Sequence, residues 1–318
     1  MRKILVTGAL GQIGSELTMG LRKIYGNDNV IASSRRVKEG HEDLMESGVF
    51  EIVNVTDANQ LAEVVRKHKV NTIIHLAAIL SAVGEEKPAM AWDVNMNGLY
   101  NVLEVAREEK CAVFTPSSIA AFGDSTPKDN TPQDTIQRPN TMYGVTKVAG
   151  EILCDYYYHK FGVDTRGVRF PGLISYETLP GGGTTDYAVH IYYDALKNKK
   201  YTSFIAKGTK MDMMYMPDAL EAIIKLLEAD PSKLIHRNAF NVTAMSFEPE
   251  EIAASIRKLI PEFELDYDVD PVRQAIADSW PNSLDDSAAR EEWGWDPKYD
   301  LDAMTKDMLE KLKIKLGL

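Results

Sequence analysis

A chain of 318 residues with 44% hydrophobic and 26% charged side chains has the balance of a globular protein, long enough for two domains or for one doubly wound domain with an appended lobe. Its 36 basic and 47 acidic residues leave a net charge of −11, which repels phosphate backbones and anionic lipid heads and argues against nucleic acid and membrane as partners. The longest apolar stretch, residues 72–84, is 13 residues long and contains His75, too short to span a bilayer.

A strand follows Met1-Arg2-Lys3 directly, leaving no room for a signal peptide. The two cysteines, Cys111 and Cys154, lack metal-ligand spacing, so no metal site is expected and the thiols point to a reducing cytoplasm. Through the first half, β-branched runs at 3–7, 29–34, 50–55, 71–76, 112–117 and 164–170 read as strands. They are near-continuously apolar, as parallel strands covered on both faces require. Between the first two, Ile13, Leu17, Leu21 and Ile24 recur at spacings of four, four and three, predicting one apolar helical face. Further crossover helices are predicted at 62–68, 94–107 and 143–161. This βαβ repetition predicts a doubly wound parallel sheet of the Rossmann kind.

The first βα turn reads Gly8-Ala9-Leu10-Gly11-Gln12-Ile13-Gly14. Strand, glycine-rich loop and helix stand in the order a dinucleotide pyrophosphate needs. Gly8 allows the tight turn, Gly11 the approach of backbone N–H groups, and Gly14 close helix–sheet packing. An acidic residue for the ribose hydroxyls belongs about 20 residues further on. There the chain has Ser34-Arg35-Arg36. The two guanidiniums could recognise a 2′-phosphate or simply form a solvated loop, so NAD and NADP both stay open.

Tyr143 and Lys147 are one helical turn apart on one face. A lysine ammonium beside the phenol favours its ionised form, so Tyr143 can act as a base near neutrality. Tyr156/Lys160 and Tyr193/Lys197 repeat the spacing, so position decides. Tyr143 follows the fifth strand, whose end carries Ser117-Ser118, and Ser118 can donate a hydrogen bond to a substrate oxygen. Two roles are open to Asn95: starting a helix, or organising a water or Lys147.

After about Pro171 the texture changes. A glycine-rich loop at 179–185 precedes a predicted helix at 186–197. Strands are predicted at 211–217 and 239–242, and helices at 219–227 and 248–259, the last with Pro249 in its first turn. The tail carries Trp280, Trp293 and Trp295. This half reads as a smaller α/β lobe. The expected division is a dinucleotide-binding domain over 1–171, completed by segments around 211–243, and a substrate lobe over 172–210 and 244–318.

The segments TGALGQIG (7–14), His75-Leu76-Ala77-Ala78, SSIAAFG (117–123) and Tyr143–Lys147 together resemble the extended short-chain dehydrogenases/reductases, which include nucleotide-sugar epimerases and dehydratases. The resemblance implies catalysis by Ser118, Tyr143 and Lys147. It also implies cofactor contacts from Gly8, Gly11, Gln12, Ile13, Gly14, Ser34, Arg35, Leu76, Ala77, Ala78, Asn95, Tyr143 and Lys147, with Asn54 and Val55 on the adenine side. A narrower resemblance, carried by 179–188, Leu80-Ser81 and 279–294, is to the epimerase-like L-threonine 3-dehydrogenases. These carry Asp where this chain has Ser34. That resemblance implies NAD-linked oxidation of L-threonine at C3 to 2-amino-3-oxobutyrate, in threonine catabolism towards glycine. Thr184, Thr185 and Asp186 would close over the zwitterion, Asp186 meeting the ammonium and Ser81 helping to hold the carboxylate; the same residues could instead cap the following helix.

A nucleotide-sugar epimerase or dehydratase is the rival enzyme. A non-catalytic nicotinamide sensor would have no need of Ser118, Tyr143 and Lys147 together. Residues Val145, Val148, Ile152, Tyr156 and Tyr157 give the 143–161 helix apolar surface on more than one face. In the family that helix and the 94–107 helix form a four-helix interface, which implies a homodimer.

Overall fold

In the computed structural model, which describes residues 2–178 and 183–318, the apolar runs of the first half become short buried strands. The elements are β1 (Ile4–Thr7), α1 (Gln12–Tyr25), β2 (Val30–Ser34), α2 (Glu42–Glu46), β3 (Phe50–Ile52), α3 (Ala58–His68), β4 (Thr72–His75), α4 (Ser81–Glu86), α5 (Pro88–Trp92), α6 (Gly98–Glu109), β5 (Ala112–Phe114), β6 (Ser117–Ser118), α7 (Met142–Phe161), β7 (Thr165–Arg166) and β8 (Val168–Phe170). Six strands form one sheet in the order β3-β2-β1-β4-β5-β7, with every pair parallel. This is the Rossmann order, in which the chain reverses direction of build between β1 and β4 and opens a crevice at the carboxyl ends of those strands. Leu5, Ile31, Ile73 and Val113 from the sheet pack with Leu61 and Val65 of α3, Leu99, Val102 and Leu103 of α6, and Cys154 and Tyr157 of α7.

The local departures from the sequence expectation have physical causes. On α1, Leu17 and Leu21 are buried, but Ile24 is 53% exposed and Arg22 is buried in its stead. The Arg22 guanidinium donates to the Leu44 and Val49 carbonyls and to Ser47 Oγ; a long side chain whose head finds such acceptors can line a core with its apolar stem. Helix α3 starts four residues before its predicted start because the Asp57 carboxylate accepts the Asn59 and Gln60 N–H groups, both at 3.1 Å. The predicted 94–107 helix is broken: α5 runs into a π turn over Asp93–Asn97 before α6 begins. The runs 112–117 and 164–170 also break. Pro116, which has no N–H to give a ladder, separates β5 from β6. Gly167 separates β7 from β8, and a Cβ there would lie 2.5 Å from the Thr115 carbonyl oxygen. β6 and β8 belong to a separate small sheet.

The remaining elements are β9 (Gly172–Ile174), α8 (Tyr187–Asn198), β10 (Lys200–Ser203), β11 (Met211–Tyr215), α9 (Met216–Glu228), β12 (Phe240–Asn241), β13 (Met245–Phe247), α10 (Pro249–Arg257), β14 (Glu264–Tyr267), α11 (Pro271–Ser279), α12 (Ser287–Trp293) and α13 (Leu301–Leu316). β11 does not extend the six-stranded sheet; it pairs in parallel with β9 and antiparallel with β13. β10 and β14 form their own parallel pair. The chain divides into two compact units: Met1–Ala121, Asn140–Arg169 and Ala222–Phe240, and Phe122–Pro139, Phe170–Glu221 and Asn241–Leu318. The second is stapled by buried carboxylates. Asp212, fully buried, accepts Thr243 Oγ1 at 2.6 Å and the Leu284 N–H at 2.8 Å. Asp218 accepts the Lys298 and Tyr299 N–H groups. Among the described residues no helix is long and apolar enough to cross a membrane.

Candidate active site

The crevice begins at the turn after β1. Gly8 adopts φ +70°, and a Cβ there would sit 2.7 Å from the Ala77 nitrogen, so the loop lies against the chain leaving β4. Gly14 is tighter still: a Cβ would be 2.2 Å from the Gly8 oxygen, which lets α1 start directly on the loop. The N-terminus of α1 is left open. Its N-cap is Gly11, no side chain caps it, and its first turn has no acidic residue. Gln12 Nε2 is buried without a hydrogen-bond partner. Unpaired N–H groups with the positive end of a helix dipole suit an anion.

Ser34, Arg35, Arg36, Asn54, Val55, Ala77 and Ala78 line a cavity of about 180 Å³ that also includes Gly8. Asn54 and Val55 are fixed there by backbone bonds: the Asn54 N–H donates to Gln60 Oε1 at 2.5 Å, and the Val55 carbonyl accepts Asn101 Nδ2 at 3.0 Å. Arg35 and Arg36 are exposed. The groups present therefore fit a dinucleotide: a glycine cradle and open helix end for the pyrophosphate, an adenosine-sized cleft, and guanidiniums at the ribose end.

On α7, Tyr143 and Lys147 share a face, with Lys147 Nζ 5.3 Å from the centre of the Tyr143 ring. Lys147 Nζ donates to the Pro116 carbonyl at 2.6 Å. Ser118 Oγ accepts the Ala120 N–H at 3.2 Å, which leaves its own proton free to donate. The start of α7 is held by Thr141, whose Oγ1 accepts the Gly144 N–H at 3.1 Å, and by Glu85, which accepts the Met142 N–H at 2.7 Å. Asn95 is not a helix start. It sits in the π turn, a deformation that often marks a functional region. Its Oδ1 accepts the Ile79 N–H at 2.7 Å, while Nδ2 donates to the Ile79 carbonyl at 3.0 Å and to Thr146 Oγ1 at 3.1 Å. It thus ties the segment after β4 to the residue beside Lys147.

His75, Asn95, Ser117, Thr146, Lys147 and Glu151 line a second, smaller cavity of about 40 Å³. His75 Nδ1 is 2.9 Å from Thr7 Oγ1. Burial, aided by the Lys147 charge, pushes its pKa down to about 3, so the ring is neutral. Sequence reasoning missed Glu85, Pro116, Thr146, Ser117, Glu151 and Arg169; only the four-residue step from Lys147 to Glu151 along α7 carried a signal for any of them.

Leu76–Ala78 line both cavities in part, and Ser81 is the first residue of α4. In the second unit, Thr184–Asp186 form a single 3₁₀ turn before α8. Thr184 is buried, a Cβ on Gly172 would meet the Thr185 methyl at 2.7 Å, and the Asp186 carboxylate accepts the Gly183 N–H at 2.5 Å. Residues 179–182, which include the first two glycines of the expected hinge, lie outside the described residues. Cys111 and Cys154 are free and buried, and burial raises the Cys111 thiol to about 11. No cluster of three or more potential metal ligands occurs among the described residues.

Residues 4–242 match the NAD dependent epimerase/dehydratase family. The chain is 62% identical over 316 residues to an uncharacterized epimerase/dehydratase of Staphylococcus saprophyticus, covering 99% of this chain and 98% of the relative. Among solved structures, L-threonine dehydrogenase from Clostridium difficile superposes with a TM-score of 0.98 at 71% identity, covering 99% of this chain and 98% of that one. A monomeric L-threonine 3-dehydrogenase from a metagenome gives 0.93 at 45% identity, covering 99% and 100%.

Proposed function

The chain belongs to the NAD-dependent epimerase/dehydratase family, and from that premise we propose that it oxidises L-threonine at C3 to 2-amino-3-oxobutyrate. The observation that carries the substrate is the 71% identity to an L-threonine dehydrogenase over 99% of this chain. Gly8, Gly11, Gly14 and the open end of α1 hold the pyrophosphate, while Asn54 and Val55 flank the adenine. The nicotinamide, when bound, supplies the hydride acceptor. Tyr143 takes the hydroxyl proton, Lys147, anchored by the Pro116 carbonyl, holds its ammonium 5.3 Å from the centre of the Tyr143 ring, and Ser118 donates to the substrate oxygen. Asp186 is proposed as the partner of the ammonium, with Ser81, Thr184 and Thr185 as further substrate contacts.

For the cofactor we propose NAD with detectable NADP use, because Arg35 and Arg36 face the cleft where a repelling carboxylate would otherwise stand. A homodimer is proposed through α6 and α7, whose Tyr100, Val145, Ile152 and Tyr156 are 41–62% exposed. Tyr157, expected on that face, is instead buried and donates to Glu104 Oε1 at 2.5 Å. Sedimentation at micromolar concentration separates the dimer from a monomer. The deciding assay offers L-threonine, UDP-sugars and GDP-sugars, each with NAD and NADP. Reduction of cofactor by threonine supports the reading; conversion of a nucleotide sugar with none by threonine overturns it.

A further inference from the structure

The bonds that anchor Lys147 continue into a buried cluster that proton transfer does not itself use. Lys147 and Glu151, one turn apart on α7, reach two consecutive residues, Pro116 just before β6 and Ser117, its first residue. Lys147 Nζ donates to the Pro116 carbonyl at 2.6 Å, and the Ser117 hydroxyl donates to Glu151 Oε1. The next residue is Ser118. Arg169 of β8 closes the cluster, with Nε 3.1 Å from Glu151 Oε1 and Nη2 2.9 Å from Oε2. Ser117, Glu151 and Arg169 are 7%, 8% and 6% exposed.

We infer that Ser117, Glu151 and Arg169 are positioning residues for the catalytic set, locking α7 onto β6 in the register that sets Tyr143 and Lys147 against the Ser118 hydroxyl. This rests on the reading of those three side chains as the proton-transfer set. Apolar packing is non-directional and tolerates small slides and rotations of a helix. One bond from α7 to β6 would fix a distance but leave α7 free to rotate about it. Two bonds from successive turns onto successive residues fix both. No hydrogen bond joins Lys147 to Ser118; α7 is also held elsewhere through Met142, Thr146 and Tyr157, but this double link is what ties it directly to the strand end that carries Ser118. A buried ion pair is a weak source of stability, since desolvation offsets most of its attraction, but a two-pronged guanidinium–carboxylate contact fixes direction well. That is the support a reactive constellation needs.

Three variants of the full chain test it, beside Tyr143→Phe: Glu151→Gln, which keeps an acceptor for Ser117 and removes the charge; Ser117→Ala, which cuts the link to β6 and leaves the ion pair; and the double change Glu151→Met with Arg169→Met, which replaces the pair by apolar side chains. Steady-state turnover, dinucleotide affinity and melting temperature are measured on each. The expected result is a kcat lowered roughly tenfold to a hundredfold in folded protein, with the KM for threonine and the dinucleotide affinity within about twofold. Such a split is not the mark of a residue that only supports folding. A folded Ser117→Ala or double variant with the parent's kcat overturns the inference. If Tyr143→Phe is also fully active, the catalytic reading falls as well; if Tyr143→Phe is inactive, that reading stands and only the positioning role is lost.

Discussion

Two regions of the first unit, a few residues apart along the sheet ends, treat their polar groups in opposite ways. At the start of α1 after the Gly8 loop some are left unpaired: the helix begins without a side-chain cap, and Gln12 Nε2 is buried with no partner. Behind Lys147 they are largely saturated, with Glu151 accepting from Ser117 and Arg169, and Asn95 spending its amide on Ile79 and Thr146; Asn238 Oδ1 is the exception among the residues lining the cavity there. Unpaired buried groups cost free energy until something pairs them, whereas saturated ones hold their neighbours still. On the proposed reading, the first region receives a ligand and the second keeps a reactive geometry. Substitutions in the first should therefore read out in binding, and those around the second in turnover or stability.

The largest effect is expected at the edge of the saturated region. Tyr143→Phe keeps the ring and the helix but removes the proposed proton acceptor, so turnover should fall by roughly 10²–10⁴-fold while dinucleotide titration by fluorescence is unchanged. Loss of binding in that variant would blur the division between the two regions.

Gly14→Ala probes the other region. Its Cβ would lie 2.2 Å from the Gly8 oxygen, forcing α1 off the loop. The dissociation constant for the dinucleotide, followed by calorimetry, should rise about fivefold or more, given the ~1–3 kcal/mol that overpacking costs. An unchanged constant would mean the loop is not the pyrophosphate site.

His75 makes the saturated region acid-sensitive. Held neutral in the fold with a pKa of about 3 against an ordinary 6.5, it takes up a proton on unfolding. Its contribution is fully present above pH 6.5 and is lost as pH falls toward 3. Between pH 7.5 and 5.5 the loss is on the order of 1 kcal/mol. Denaturant unfolding at the two pH values should show it, and His75→Gln should flatten that part of the profile.

Ser34→Asp sharpens the binding side: a carboxylate beside the 2′-phosphate should lower kcat/KM for NADP by about severalfold relative to NAD, the size of a solvent-screened charge contact. A parent enzyme that already strongly prefers NADP would reverse the proposed preference. The smallest effect is expected at Asp186→Asn. If the carboxylate pairs with an ammonium, the KM for threonine rises; if it serves only the Gly183 N–H, asparagine accepts as well and the KM stays put.

Much of the first unit is legible without coordinates. Near-continuous apolar runs separated by helical periodicity state a parallel sheet, and a glycine-spaced turn between the first strand and helix locates the crevice. Tyr143 and Lys147 declare a shared face by their spacing, and the end of the fifth strand distinguishes them from the look-alike pairs Tyr156/Lys160 and Tyr193/Lys197. These features are local, or depend only on whether a side chain prefers water.

What the tertiary structure alone decided is where polar groups find partners far along the chain. Hydrophobic periodicity placed Ile24 inside, yet Arg22 took the buried position because carbonyls from residues 44 and 49 were there to receive it. The fifth-strand run gave no hint that it stops at Phe114 and resumes at Ser117, or that the 94–107 helix opens into a π turn whose Asn95 reaches Thr146. Glu151 reads as one more charge on a helix; only its meeting with Ser117, 34 residues earlier, and Arg169, 18 residues later, makes it a buried anchor. A sequence records each residue's own preference for burial and conformation, but the pairing that lets a charge be buried belongs to two residues at once, and only the folded chain brings them together.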